Sequence, residues 1–303
     1  MRILIPIDGG ADCREAIRFI NTRKSWLHSQ KPTIEVLYVQ RAYRPGFAEG
    51  GDFNVQPWSY EKLIKAVFDD MAEDLATLPE GTIKTSKIGN PATVIAEHAR
   101  ETSADLIVMG GRGLGAVKAL YLGSVSLSTL AKATCPVLIC REHYTPRDDN
   151  LKIGIAVDGS GFGERCAKFV ADNKALFGED ASFEVIYVHA DEERIPPDLI
   201  DKGTVEMDKL FEQYEEEECR RAFEKALPQL QSAELNVKTV QLRGPLHTTL
   251  TRYADENLDM VVMGSHGKGR VSSLVFGSST RAMVSSCRMP ILIVPGEEST
   301  TPS

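Results

Sequence analysis

Two carboxylates and two glycine-rich loops are the residues of this chain with the clearest capacity for chemistry. Asp8 and Asp158 each follow a short apolar run and precede a glycine, in RILIPIDGG and KIGIAVDGS. The loops read GGRGLGAVKALYLGS over 110–124 and GSHGKGRVSSLVFGS over 264–278, both of the form G-x-x-G, nine residues, then G-S. Gly110, Gly113, Gly123 and Ser124 mark the first; Gly264, Gly267, Gly277 and Ser278 mark the second. Glycine tolerates φ > 0 and lets backbone N–H groups approach a ligand with no Cβ in the way. The G-S pair then opens a helix, from Val125 and Ser279 onward, whose exposed N–H groups and positive dipole end attract anions. Phosphate at that helix end, serine hydroxyls donating to it, and ribose hydroxyls donating to the Asp carboxylate would together hold a nucleotide. The other reading of the same residues is structural: Gly-Ser caps the helix and the remaining glycines make a tight turn.

The elements that must position these residues are written twice. RILIPIDGGADCREAIRF at 2–19 matches KIGIAVDGSGFGERCAKF at 152–169, and IEVLYVQ at 34–40 matches FEVIYVH at 183–189. ADLIVMGGRGLG at 104–115 matches LDMVVMGSHGKG at 258–269, and CPVLIC at 135–140 matches MPILIV at 289–294. Four blocks in the same order mean duplication of a unit of about 150 residues. The expected division is a first domain over 1–143, a linker over 144–150 and a second domain over 151–303. In the first, strands near 2–7, 33–39, 82–88, 105–109 and 136–140 alternate with helices near 11–22, 59–78, 91–102 and 124–133. The helix at 59–78 rests on Leu63, Val67, Met71, Leu75 and Leu78 at three- to four-residue spacing. The run Leu106-Ile107-Val108-Met109 has no polar alternation, as in a parallel strand covered on both faces. The second domain repeats the order, with a helix expected over 161–176 and another over 207–230. Alternating β and α elements predict an α/β fold, a doubly wound parallel sheet in each half, with ligands off the carboxyl ends of the strands.

Composition narrows the partners. The chain has 303 residues, 35 Lys and Arg against 43 Asp and Glu, and a net charge of −8. That charge repels nucleic acid and anionic membranes. No run of about twenty apolar residues predicts a membrane span, and the N-terminus lacks a signal-peptide pattern, so the expected location is the cytoplasm. The six cysteines form no CxxC pair and no metal-like spacing with the six histidines, so they read as reduced, mostly buried thiols with no metal role.

With the doubled loop in hand, the sequence resembles two universal stress protein domains in tandem, over nearly its whole length. The loop is similar to the motif of the family's ATP-binding subgroup, and both halves keep it. By resemblance, Asp8 and Asp158 stand at the nucleoside end of a site, Val39 and Val188 pack on adenine, and Met109 and Met263 line the pocket. The resemblance further implies a five-stranded Rossmann-like sheet of order 3-2-1-4-5 in each domain. It also implies pairing of domains through their fifth strands, here as a pseudo-two-fold pair within one chain, or as a homodimer. The implied ligand is ATP or AMP, with or without Mg, in a protein of stress response or regulation. No catalytic residue is assigned, and ATP hydrolysis is expected to be slow at most. The sequence departs from the family at Gly10, where a serine is usual and Ser160 fits, and at Gly111 inside the first loop. Ser160 and the closer loop match make the second half the expected better binder, with the greater loss of affinity from Gly277→Asp, although Arg112 would strengthen phosphate contact in the first.

Competing readings are weaker. DGGADC at 8–13 resembles the S-G-G-x-D-S loop of ATP pyrophosphatases, but Asp8 would repel a pyrophosphate. A nucleotide-free interaction scaffold with an unknown protein partner is the main alternative. His266 has Arg112 as its counterpart, so the halves share no base there; the other histidines show no acidic partner at a readable spacing. Cys135 and Cys140 read as core thiols, Glu215 to Glu218 as a solvated helix face, and 41–58 as a lid or a loop.

Overall fold

The computed structural model describes residues 1–42, 57–111, 122–141, 144, 150–189, 207–266 and 277–296. It divides into two compact units, Met1–Arg147 and Asp148–Ser303. The first runs β1 (Arg2–Ile7), α1 (Ala11–Thr22), α2 (Lys24–Gln30), β2 (Thr33–Gln40), α3 (Pro57–Asp70) and α4 (Ala72–Leu75). It continues through β3 (Ile83–Ile88), α5 (Pro91–Glu101), β4 (Leu106–Gly110), α6 (Ser124–Lys132) and β5 (Val137–Cys140). All its strands are parallel, in the order β3-β2-β1-β4-β5. Register carries Ile7 beside Tyr38 and Gly110 beside Cys140, so the strand ends that bear the site lie level. Every residue of β4 is buried, which is why that run shows no polar alternation.

The second unit repeats the plan with β6 (Lys152–Val157), α7 (Gly161–Asp172), a 3-10 turn (Lys174–Phe177), β7 (Ser182–His189) and α8 (Met207–Ser232). Then come β8 (Val237–Arg243), α9 (Leu246–Asn257), β9 (Met260–Gly264), α10 (Ser278–Ser286) and β10 (Ile291–Val294). Its order is β8-β7-β6-β9-β10, again parallel. Each unit thus has the 3-2-1-4-5 order that the resemblance implies.

Two helical expectations change, and one further helix is found. The run over 59–78 breaks at Met71, which is wholly buried with φ −96° and ψ 7° between α3 and α4. Burying that side chain decides the bend, and Leu63 of the same stripe is left 49% exposed. The run over 161–176 stops at Asp172 and tightens into the 3-10 turn, which buries Leu176 and Phe177. Helix α2 has no expected counterpart. Its seven residues are too few for a periodic stripe, and buried Trp26 is what anchors it. Among the described residues, no helix is long and apolar enough to cross a membrane.

Candidate functional site

Each unit builds its strand-end turn from Asp-Gly. The chain leaves β1 through Gly9 at φ +83° and β6 through Gly159 at φ +80°, a region that disfavours a side chain. Asp8 Oδ1 accepts the Gly10 amide at 2.9 Å, and Asp158 Oδ1 accepts the Ser160 amide at 2.9 Å.

In the first unit a cavity of ≈ 490 Å³ opens past the carboxyl ends of β1, β2 and β4. Asp8, Val39, Met109, Gly110, Gly123 and Ser124, all expected from the sequence, line it together. Cys13, Gln40, Arg41, Pro91, Ile95 and Val125 also line it and were not singled out. Gln40 ends the strand whose Val39 was the candidate and Arg41 follows it, so reading two residues further would have found both. Gly113 and Gly267 lie outside the described residues, as do Arg112 and most of 41–58.

The loop glycines do more for the fold than the phosphate reading assumed. At Gly110 an added Cβ would lie 2.4 Å from the Asp12 carbonyl carbon; at Gly264 it would lie 2.5 Å from Phe162 Cβ. These glycines let the first turn of α1 or α7 sit directly on the end of the neighbouring strand. Gly123 donates its amide to the Gly111 carbonyl at 2.6 Å, and Gly277 donates to Ser265 at 3.1 Å. Those two amides are therefore engaged within the protein.

The helices begin at the serine of each Gly-Ser pair. Gly123 and Gly277 hold the N-cap positions, and Ser124 and Ser278 are the first helical residues, so neither serine caps its helix. The N-terminal amides of a helix have no partner within it. Ser124, Val125 and Ser126 present such amides at the cavity wall, unbonded among the described residues. What fastens the helix is a residue the sequence did not reveal. Buried Ser126 donates to the Gly110 carbonyl at 2.9 Å, and buried Thr280 donates to Gly264 at 3.0 Å.

In the second unit Asp158, Val188, Met263, Gly264, Gly277 and Ser278 occupy the equivalent strand and helix ends. Ser160 Oγ donates to Asp158 Oδ1 at 2.5 Å and accepts the Phe162 amide at 3.3 Å, so it caps α7. His266 Nδ1 lies 3.1 Å from Ser265 Oγ, and its ring centroid lies 5.7 Å from that of Phe162. His189 does have an acidic partner, contrary to expectation: Glu215 Oε2 lies 3.1 Å from Nδ1 and Gln241 Oε1 lies 3.0 Å from Nε2. Glu215 is therefore not part of a solvated face. A separation of 26 residues across the β7–α8 connection hid this pair. Cys140 is buried and Cys135 half-buried; burial pushes the Cys135 thiol up to about 11 and Cys13 up to about 12. No cluster of three His, Cys, Asp or Glu side chains suited to a metal occurs among the described residues.

A model of the Universal stress protein family matches residues 1–141 and again 150–295. A universal stress protein of Mycolicibacterium smegmatis is 25% identical over 303 residues, covering 96% of each chain. One from Mycobacterium tuberculosis is 26% identical over 208 residues, 67% of this chain and 65% of that one. Among solved structures, a universal stress protein from Archaeoglobus fulgidus superposes with a TM-score of 0.63 at 17% identity, covering 97% of this chain and 96% of that one. At that identity the likeness speaks for the fold.

Proposed function

This chain belongs to the universal stress protein family, and from that premise we propose that its units bind an adenine nucleotide, ATP or AMP, with or without Mg, in stress response or regulation. The observation that carries the reading is the first-unit cavity. Its ≈ 490 Å³ lies within the range of small-molecule sites. It joins an apolar wall, Val39 and Met109, to a carboxylate, Asp8, and to three helix-terminal amides that are unbonded among the described residues. A base packs on the first, ribose hydroxyls donate to the second, and phosphate accepts from the third. The second unit offers the equivalent residues. Turnover is expected to be slow at most on this reading, which assigns no general base; burial raises the Cys13 thiol to about 12, so it is not a nucleophilic thiolate either.

The test is the nucleotide carried by the purified protein. Heat denaturation followed by ion-exchange chromatography of the supernatant should release ATP, ADP or AMP, and added ATP should raise the melting temperature. A blank chromatogram with no thermal shift sinks the reading. It would favour the scaffold alternative, which one observation supports: Gly110, Gly123, Gly264 and Gly277 all have packing or hydrogen-bonding roles that would keep the motif without any ligand.

A further inference from the structure

Gln40 and His189 end equivalent strands, β2 and β7, yet their side chains are engaged differently. Gln40 lines the first-unit cavity beside Val39. Its Oε1 accepts from the Tyr38 hydroxyl at 2.8 Å, and its Nε2 donates to the Arg41 carbonyl at 3.1 Å. Tyr38 is itself set against Phe68 of α3, ring centroids 6.4 Å apart. The amide is thus held at both ends, with one N–H and one lone pair remaining. His189 is buried, with Glu215 and Gln241 on its two ring nitrogens and its ring 4.9 Å from that of Tyr187. No ring nitrogen is left for a ligand.

We propose that Gln40 is the base-selecting residue of the first unit and that Tyr38 positions it. This rests on the nucleotide reading above and adds what distinguishes one purine from another. One donor and one acceptor on a fixed amide match the N7 acceptor and N6 donor of adenine. Guanine presents two acceptors, N7 and O6, on that edge and leaves Oε1 facing one of them. The second unit has no side-chain reader at the matching position.

The experiment uses the full chain carrying Gly277→Asp, which silences the second site, and compares ATP with GTP by calorimetry. The parent should prefer ATP by at least about fivefold, the low end of a bidentate base contact. Gln40→Leu should bring the two affinities to within about twofold, and Tyr38→Phe should give an intermediate ratio. Gln40→Arg, which offers donors only, should turn the preference toward GTP. A structural role alone would lower both affinities together and leave their ratio alone. An unchanged ratio in Gln40→Leu, or no preference in the parent, overturns the proposal. A parent that binds neither nucleotide overturns the nucleotide reading and this inference with it.

Discussion

Nε2 of His98 lies 2.7 Å from Oε1 of Glu35, with both side chains buried at the packing of α5 on β2. Arg2 Nη2 and Thr85 Oγ1 complete the shell, each 2.7 Å from the same carboxylate. The second unit keeps the buried carboxylate and changes the partner: the Tyr253 hydroxyl donates to Glu184 Oε2 at 2.7 Å. A buried charge is tolerable only when its hydrogen bonds are made, so each unit has rebuilt the donor set around a retained acid.

Glu35 should make stability sensitive to acid. Burial alone would raise its pKa, but the hydrogen bonds from Arg2, His98 and Thr85 outweigh burial and lower it from 4.5 to about 2. The folded value lies below the unfolded one, so the contribution is present above about pH 4.5 and is lost as pH falls toward 2. Urea denaturation from pH 6 to 2 should show this decline. Glu35→Gln should flatten it and cost about 2 kcal/mol at neutral pH.

Gly123→Asp should separate binding from folding. Gly123 has φ −63° and ψ 149°, ordinary values for a side-chain-bearing N-cap residue, and Asp is a favoured cap. The melting temperature should hold or rise slightly, while ATP affinity falls because a carboxylate stands where phosphate would. Gly277→Asp should fold too, since a Cβ there meets its neighbours at 3.4 Å. We expect the larger loss from Gly123→Asp. The Ser160 hydroxyl, the reason to favour the second site, is engaged by Asp158 and the Phe162 amide. Equal losses in calorimetry would refute this order.

Gly110→Ala and Gly264→Ala should act through stability. Their methyl groups would fall 2.4 Å and 2.5 Å from atoms of Asp12 and Phe162, so α1 or α7 must move off its strand. A loss of about 2 kcal/mol or more is expected for each, measured by denaturant unfolding. Gly110→Ala meets backbone and should cost more than Gly264→Ala.

The thiols should be silent in the folded protein. Burial pushes Cys13 and Cys166 to about 12 and Cys135 and Cys219 to about 11, and Cys140 is raised further. A disulfide reagent at pH 8 should therefore titrate the thiols slowly in native protein. In denaturant all six should react at once. Rapid native labelling of Cys13 would contradict the packing of its Sγ 3.9 Å from Met71 Sδ.

Either unit expressed alone should self-associate. The fifth strand of each, VLIC and ILIV, ends its unit's strand order with an unbroken apolar run, and uncovered apolar edges invite pairing. Light scattering of residues 1–143 or 151–303 should report dimers or larger species. A well-behaved monomer at high concentration would contradict this.

By itself the sequence determined the duplication, the β/α alternation and the place of Asp8, Val39, Met109, Gly110, Gly123 and Ser124 at one end of a sheet. Asp8 and the glycine-rich loop follow from local pattern, because apolar runs without alternation make covered parallel strands and ligand-facing residues come after them; Val39 and Met109 came from the family resemblance. Only the tertiary structure decided what each residue does there. Gly110 sits beside Asp12 across nearly a hundred residues of sequence, so its packing role was invisible in the loop that contains it. Ser126 reaches the Gly110 carbonyl and His189 finds Glu215, each through contacts that no sequence spacing encodes. A hydrogen bond acts over about 3 Å of space, and only folding brings such distant residues within it.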